Sequence, residues 1–325
     1  MRVPYSYANA VAISAQKTLI PKSRFLAAAE ADSASEAIET LTATGFGKNT
    51  EIADAGEYDK LVEAETLALK KFISEYSSGD DVKYYCFLKS DFFNCDVAIR
   101  RLFFGYGGEY AFDGTVGTGI IEQYEYAKTG KSELPEYLVK AIDALVAVAK
   151  KEDCSGSDLS VLTMKNYYAA MLKLIKHRFI KGLIRAEIDC GNISAYFRSP
   201  DRETAEKQFV DGGKIDKNKM LVILSGDASK IRSAFMFTDY KDAIEACLKA
   251  KADGKPLGAF EKIKDDYPMQ KLYGKRYACE GIIPVLLYAV YKRAEIRNFR
   301  TVVSGLLAKA PPEAIAGRLR DGYVG

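Results

Sequence analysis

A carboxylate followed three positions later by an asparagine recurs three times in this chain, at intervals of roughly a third of its length. The copies are Asp91-Phe92-Phe93-Asn94, Asp189-Cys190-Gly191-Asn192 and Glu295-Ile296-Arg297-Asn298, each followed by a mixed run of apolar and polar residues. A chain of 325 residues has room for two or three ordinary domains. A repeat of this period therefore predicts three copies of one small domain rather than a single large core, with boundaries expected at 1–120, 121–226 and 227–325. A second alignment is possible, because Arg185-Ala186-Glu187-Ile188 and Arg293-Ala294-Glu295-Ile296 are identical tetrapeptides. The carboxylate-x-x-Asn alignment is preferred because it fits all three copies.

The spacing of apolar residues is helical almost throughout, so the expected fold class is all-α. Ser33-Ala34-Ser35-Glu36 reads as a capped helix start. Tyr58 to Glu75 sets Leu61, Val62, Leu69, Phe72 and Ile73 on one stripe. Pro135 opens another helix, which runs through Leu138, Ile142, Leu145, Val146 and Ala149. Leu159 to about Arg198 predicts one very long helix or two broken at Gly182. Tyr267 to Leu307 reads likewise, with bends at Gly274, Gly281 and Pro284. The strand-like run Lys219 to Leu224 is short and has no partner, so it is read as a helix near a domain edge. Glycine-rich loops are expected at Gly105–Gly119, Asp211–Lys214 and Asp253–Pro256, the first two following the first two copies of the repeat at similar distances.

Charge excludes one class of partner. Lysine and arginine number 47 against 44 aspartates and glutamates, and the signs intermix along the chain. A nucleic-acid footprint needs a basic excess gathered on one face. Six cysteines occur with no C-x-x-C spacing, and His177 is the single histidine, so metal-ligand patterns are absent and reduced thiols of a cytoplasmic protein are expected. His177 itself reads as a helix-face residue. Residues 1–20 hold no apolar block of signal-peptide length. The longest nearly apolar stretch, Gly281 to Tyr291, is about half of the roughly 20 residues that a membrane-spanning helix needs. A soluble chain without direct bilayer insertion is expected.

Catalytic motifs fail on inspection. Thr129-Gly130-Lys131-Ser132 resembles the end of a phosphate-binding loop, yet Glu125 stands where its first glycine belongs. No G-x-G-x-x-G, H-E-x-x-H or G-x-S-x-G run occurs. No catalytic residue, cofactor or metal ligand is assigned. The repeat itself carries the candidate site residues: Asp91, Asn94, Asp189, Asn192, Glu295 and Asn298, with Arg297 and Arg300 beside the third copy. A carboxylate and an asparagine three apart share a helix face. Buried, they demand hydrogen-bond partners and make a polar lock inside each domain; exposed, they make a partner contact.

Three segments carry a family resemblance: the opening Tyr5-Ser6-Tyr7-Ala8-Asn9-Ala10, the middle Glu187-Ile188-Asp189-Cys190-Gly191-Asn192-Ile193, and the closing run from Tyr291 through Glu295-Ile296-Arg297-Asn298-Phe299-Arg300 to Gly305. Together they resemble the C subunit of the rotary V-type/A-type ATPases, called the d subunit in eukaryotes. Val11 and Ile13 stand where that family commonly carries arginines. The resemblance implies a funnel of three similar helical domains in a pseudo-threefold arrangement. It also implies a non-catalytic central-stalk part at the cytoplasmic face of the membrane. That part receives the foot of the shaft made by the D and F subunits, and rests on the rotor ring of proteolipid subunits. Two competing expectations remain open: a free-standing helical-repeat scaffold, whose usual period of about 20–50 residues is much shorter, and an enzyme with an unrecognised site.

Overall fold

The computed structural model describes residues 5–116, 119–131 and 133–323. The first four residues, positions 117 and 118 of the Gly105–Gly119 loop, Ser132 and the last two residues lie outside the described residues. The described residues form helices and connections without a strand. In chain order the helices are α1 (Tyr5–Gln16), α2 (Lys22–Ala28), α3 (Ala34–Thr42), α4 (Tyr58–Tyr76) and α5 (Asp81–Phe104). There follow α6 (Gly119–Thr129), α7 (Glu136–Ala149), α8 (Gly156–Leu174), α9 (Arg178–Arg198), α10 (Arg202–Gln208) and α11 (Lys217–Leu221). The last are α12 (Ala228–Phe235), α13 (Lys241–Ala252), α14 (Gly258–Tyr273), α15 (Ile283–Leu307) and α16 (Pro312–Ala316).

Short polar side chains start many of these helices by accepting from otherwise unpaired backbone N–H groups. Ser33 accepts from the Glu36 N–H at 3.2 Å, where the sequence predicts it. Ser155 and Asp158 form a reciprocal capping box at the head of α8. Pro135 stands just before α7, its extended backbone feeding the first turn. The Lys219–Leu224 run is helical: α11 passes into a 3₁₀ turn at Val222–Ser225, which Gly226 ends in the left-handed region at φ 68°.

Three expectations are corrected. Gly182 does not break the Leu159–Arg198 segment; it lies inside α9. The break falls at Ile175–His177, where Ile175 takes an extended conformation and is wholly buried. His177 is accordingly no helix-face residue but the cap position before α9. Near the other end, Pro284 sits in the first turn of α15, where the missing N–H costs nothing. It bends no helix, and a separate turn at 274–282 joins α14 to α15.

The chain resolves into two compact units. One combines Met1–Lys83 with Asp265–Gly325. Its central element is α15, against which α1, α2, α3, α4 and α16 pack. The buried row of α15 recurs at three- and four-residue steps through Tyr291, Glu295, Asn298, Phe299, Val302 and Val303. Phe299 stacks on Phe46 with ring centroids 4.3 Å apart, among Phe25, Leu41, Leu61 and Ile315. The α4 stripe joins this unit through Leu61, Val62, Leu69 and Ile73, with Phe72 half-buried. The other unit, Tyr84–Lys264, is organised by α9, which contacts α8, α10, α11 and α13. Both units thus bury a long helix that carries polar motif residues within its apolar row. Truncating Phe299 to alanine is expected to lower stability by about 3–5 kcal/mol, read as the shift in a denaturant unfolding curve.

Candidate functional site: three carboxylate–asparagine locks

The three motif copies lie on the long helices α5, α9 and α15, and all six of their polar residues are buried. Burial strips water from each carboxylate and amide, so each needs replacement partners. In every copy the asparagine finds them on one backbone residue of a downstream loop. Asn94 Nδ2 donates to the Ala111 carbonyl at 2.9 Å while its Oδ1 accepts the Ala111 N–H at 2.8 Å. Asn192 grips Val210 in the same way at 2.8 and 2.9 Å. Asn298 grips Arg320 at 3.0 and 2.8 Å.

The carboxylates of the first two copies hold the next turn of the same loops. Asp91 accepts the Thr115 N–H at 2.9 Å, the Thr115 hydroxyl, and the Val116 N–H at 3.4 Å. Asp189 accepts the N–H groups of Lys214 and Ile215, and the buried Tyr240 hydroxyl donates to it at 2.6 Å. Both loops approach the helix closely at a glycine. A Cβ added to Gly114 or Gly213 would overlap Oδ1 of Asp91 or Asp189.

The third copy departs from this plan. Glu295 is one methylene longer than aspartate and turns away from the loop. It accepts the Ile20 N–H at 2.7 Å and pairs with Lys292 one turn back along α15. Lys292 also pairs with Glu65 of α4, which in turn accepts the Gly47 N–H. The loop's N–H at Asp321 is accepted by Asp266 of α14 instead, at 3.1 Å. Neither Arg297 nor Arg300 grips a loop, although Arg297 shares Asp265 with Arg320, the residue that Asn298 holds. Arg297 pairs with Asp265 at 3.3 Å and Arg300 with Asp59 at 2.9 Å, both arginines being exposed. Exposed pairs of this kind contribute about 0–1 kcal/mol.

Burial governs the titration of these groups. It raises Asp189 above the ordinary aspartate range, against the pull of the Tyr240 hydroxyl and the Ile215 and Lys214 N–H groups. Burial likewise raises Glu295, opposed by the Lys292 ammonium. For Lys292, burial works against the charge, but the two carboxylates outweigh it and hold the ammonium above its usual value. Neighbouring thiols are also pushed up by burial, Cys190 to about 12 and Cys95 well above the ordinary range. Such thiols stay protonated. Among the described residues, no cluster of three or more His, Cys, Asp or Glu side chains is arranged to hold a metal. The carboxylate and amide oxygens of each lock accept from main-chain or side-chain donors, so the arrangement fastens loops to helices.

The family model described as "ATP synthase (C/AC39) subunit" matches residues 8–318, taking in all three motif helices. The chain belongs to this family. The C subunit of the A-type ATP synthase of Methanocaldococcus jannaschii is 21% identical over 346 aligned positions, which cover 97% of this chain and 86% of that protein. The third lock's loop partner, Arg320, lies just past the span matched by the family model.

Sequence reasoning missed the loop side of the locks in part. An Asp-Gly pair marks each one, at Asp113-Gly114, Asp211-Gly212 and Asp321-Gly322. The gripped residues stand 17, 18 and 22 positions beyond their asparagines. The Asp253–Pro256 loop had the composition of a third partner but follows α13 and takes no part in a lock. Tyr240 and Asp266 had no local signal at all, since each acts on a residue far away in sequence.

Substitutions can separate the polar grip from the close approach. Asn192→Ala or Asn298→Ala leaves a backbone N–H and C=O without their partner, and each is expected to lower stability by about 1–3 kcal/mol. Gly213→Ala is expected to match that loss without removing any polar group. Thermal melting of the three variants checks both. The pH dependence has a definite sign. The folded pKa of Asp189 is raised, so its contribution is fully present below the unfolded pKa and is lost as pH rises through the folded one. The melting temperature of wild type relative to D189N is therefore expected to rise as pH falls from neutral toward the ordinary value of 3.8.

Proposed function

We propose that this chain is the non-catalytic central-stalk subunit of a V/A-type rotary ATPase. In that role it is a socket that takes the foot of the D–F shaft and couples it to the membrane rotor ring. The observation that carries this reading is membership of the ATP synthase (C/AC39) subunit family along nearly the whole chain, with a relative named as the C subunit of an A-type ATP synthase. The protein works at the cytoplasmic face of the membrane, held there by the ring; no described helix is long and apolar enough to cross a bilayer.

The locks support a mechanical role. Torque passes through a part only if its elements do not slip, and close-packed helices with bonded loops supply that stiffness. We read the three helix–loop modules as the cores of three similar helical domains, 1–120, 121–226 and 227–325. The side-chain-to-backbone grip recurring in each third is the support for that division. Arg297 and Arg300 are the candidate shaft contacts, because both are exposed beside the third lock and carry charge that a mating surface can complement.

The test is capture of a purified D–F complex, and separately of the detergent-solubilised rotor ring, on the immobilised chain. Binding to both without ATP hydrolysis is expected. Failure to retain either defeats the proposal and leaves a free-standing scaffold as the better reading. The double reversal R297E/R300E is expected to weaken shaft capture while leaving the melting temperature nearly unchanged, since both arginines are exposed. Unaltered capture removes these two arginines from the interface.

A further inference from the structure

The turn between α14 and α15 carries a composition that neither the locks nor the coupling role employs. Tyr267, Lys271, Tyr273, Lys275, Arg276 and Tyr277 follow one another over the end of α14 and the turn, mixing rings and cations. Residues 273–277 are all exposed, Tyr277 by 81% and Tyr273 by 43%. The Arg276 guanidinium lies 4.0 Å from the Tyr273 ring centroid and 4.3 Å from that of Tyr277. Arg276 also donates to the Tyr273 carbonyl at 3.0 Å. Among the described residues, no carboxylate pairs with Lys275 or Arg276. Glu280 is the single acidic residue between positions 271 and 280.

This segment is built rather than loose. Tight backbone bonds run from Lys275 to Leu272, from Arg276 to Tyr273 and from Ala278 to Lys275. The buried Asn9 of α1 donates to the Cys279 carbonyl at 3.0 Å and pins the turn from below. Two cations, Lys275 and Arg276, are therefore held at the surface between two exposed tyrosines, and the exposed Glu280 of the same turn forms an ion pair with neither.

We propose that this turn is a contact for an anionic lipid surface. Tyrosine is amphipathic, with an apolar ring and a polar tip, and settles at headgroup depth. Lysine and arginine reach phosphate groups while their stems lie along apolar surface. Tyrosine and arginine suit either kind of surface, and it is the lysine that favours lipid over a protein partner, because protein interfaces are depleted in lysine. No aliphatic or phenylalanine side chain stands between 273 and 277, so the turn rests at the interface and does not insert. Such a contact needs only this turn and holds whether or not the chain couples a rotor.

Co-sedimentation of the full chain with vesicles tests it. Wild type is expected to pellet with phosphatidylcholine vesicles containing about 30% phosphatidylglycerol, to ignore pure phosphatidylcholine, and to be released by salt. Each cation near such a surface is worth about a fivefold factor in partitioning, so K275Q/R276Q is expected to bind roughly 30-fold less. Y277S is expected to weaken binding with the charge intact. Melting curves of both variants should match wild type, since the replaced side chains are exposed. The proposal is overturned if wild type ignores the anionic vesicles, binds neutral ones equally, or is matched by K275Q/R276Q. If instead the double variant loses capture of the D–F complex while wild type binds no vesicles, the turn belongs to an acidic protein surface. The vesicle assay contains no other protein, so its failure is distinct from failure of the coupling role.

Discussion

A primary amide carries a donor and an acceptor at the same end, and a peptide residue offers the complementary pair on one edge. Asparagine held rigidly on a helix can therefore do for a loop what a neighbouring strand does for a sheet edge. The protein uses this match three times, at Asn94, Asn192 and Asn298, and its loops take their positions from it. The burial that makes each asparagine costly to leave unpaired is also what fixes the outcome. In a low-dielectric interior the grip is strong when made and expensive when broken.

The third module shows how such a device can be rewired without losing its function. Lengthening aspartate to glutamate at 295 carries the carboxylate past the loop to the Ile20 N–H, where it also meets Lys292. The loop is still tied, now by Asp266 from the preceding helix. The result links α15 to the segment before α2 and, through Lys292 and Glu65, to α4. A buried ion cluster of this kind is weak evidence of net stability but strong evidence of constraint, because removing one member strands the others without water.

Much of this was legible in the sequence. The helical stripes of α4 and α7, the cap at Ser33 and the non-strand character of 219–224 follow from local chemistry, and local chemistry decides them. The breaks are different. Gly182 offers the stronger local cue, yet the helix ends where Ile175 leaves it to become wholly buried. That is a tertiary demand with no signature in a short window. The site divides in the same way. The motif residues on the helices were visible because they repeat, while Tyr240 and Asp266 were not, since each completes a partner's valence across 51 and 55 positions.

Because the grip takes hold of main-chain atoms, it is blind to what the held residue is. An alanine, a valine and an arginine occupy the equivalent place in the three loops, and all are seized alike. The loops are in this sense interchangeable fittings on a common bayonet. In the first two loops the outward side chains are free to diverge, or to be exchanged by grafting one loop onto the other's helix, so long as the glycine that lets the backbone come close travels with them.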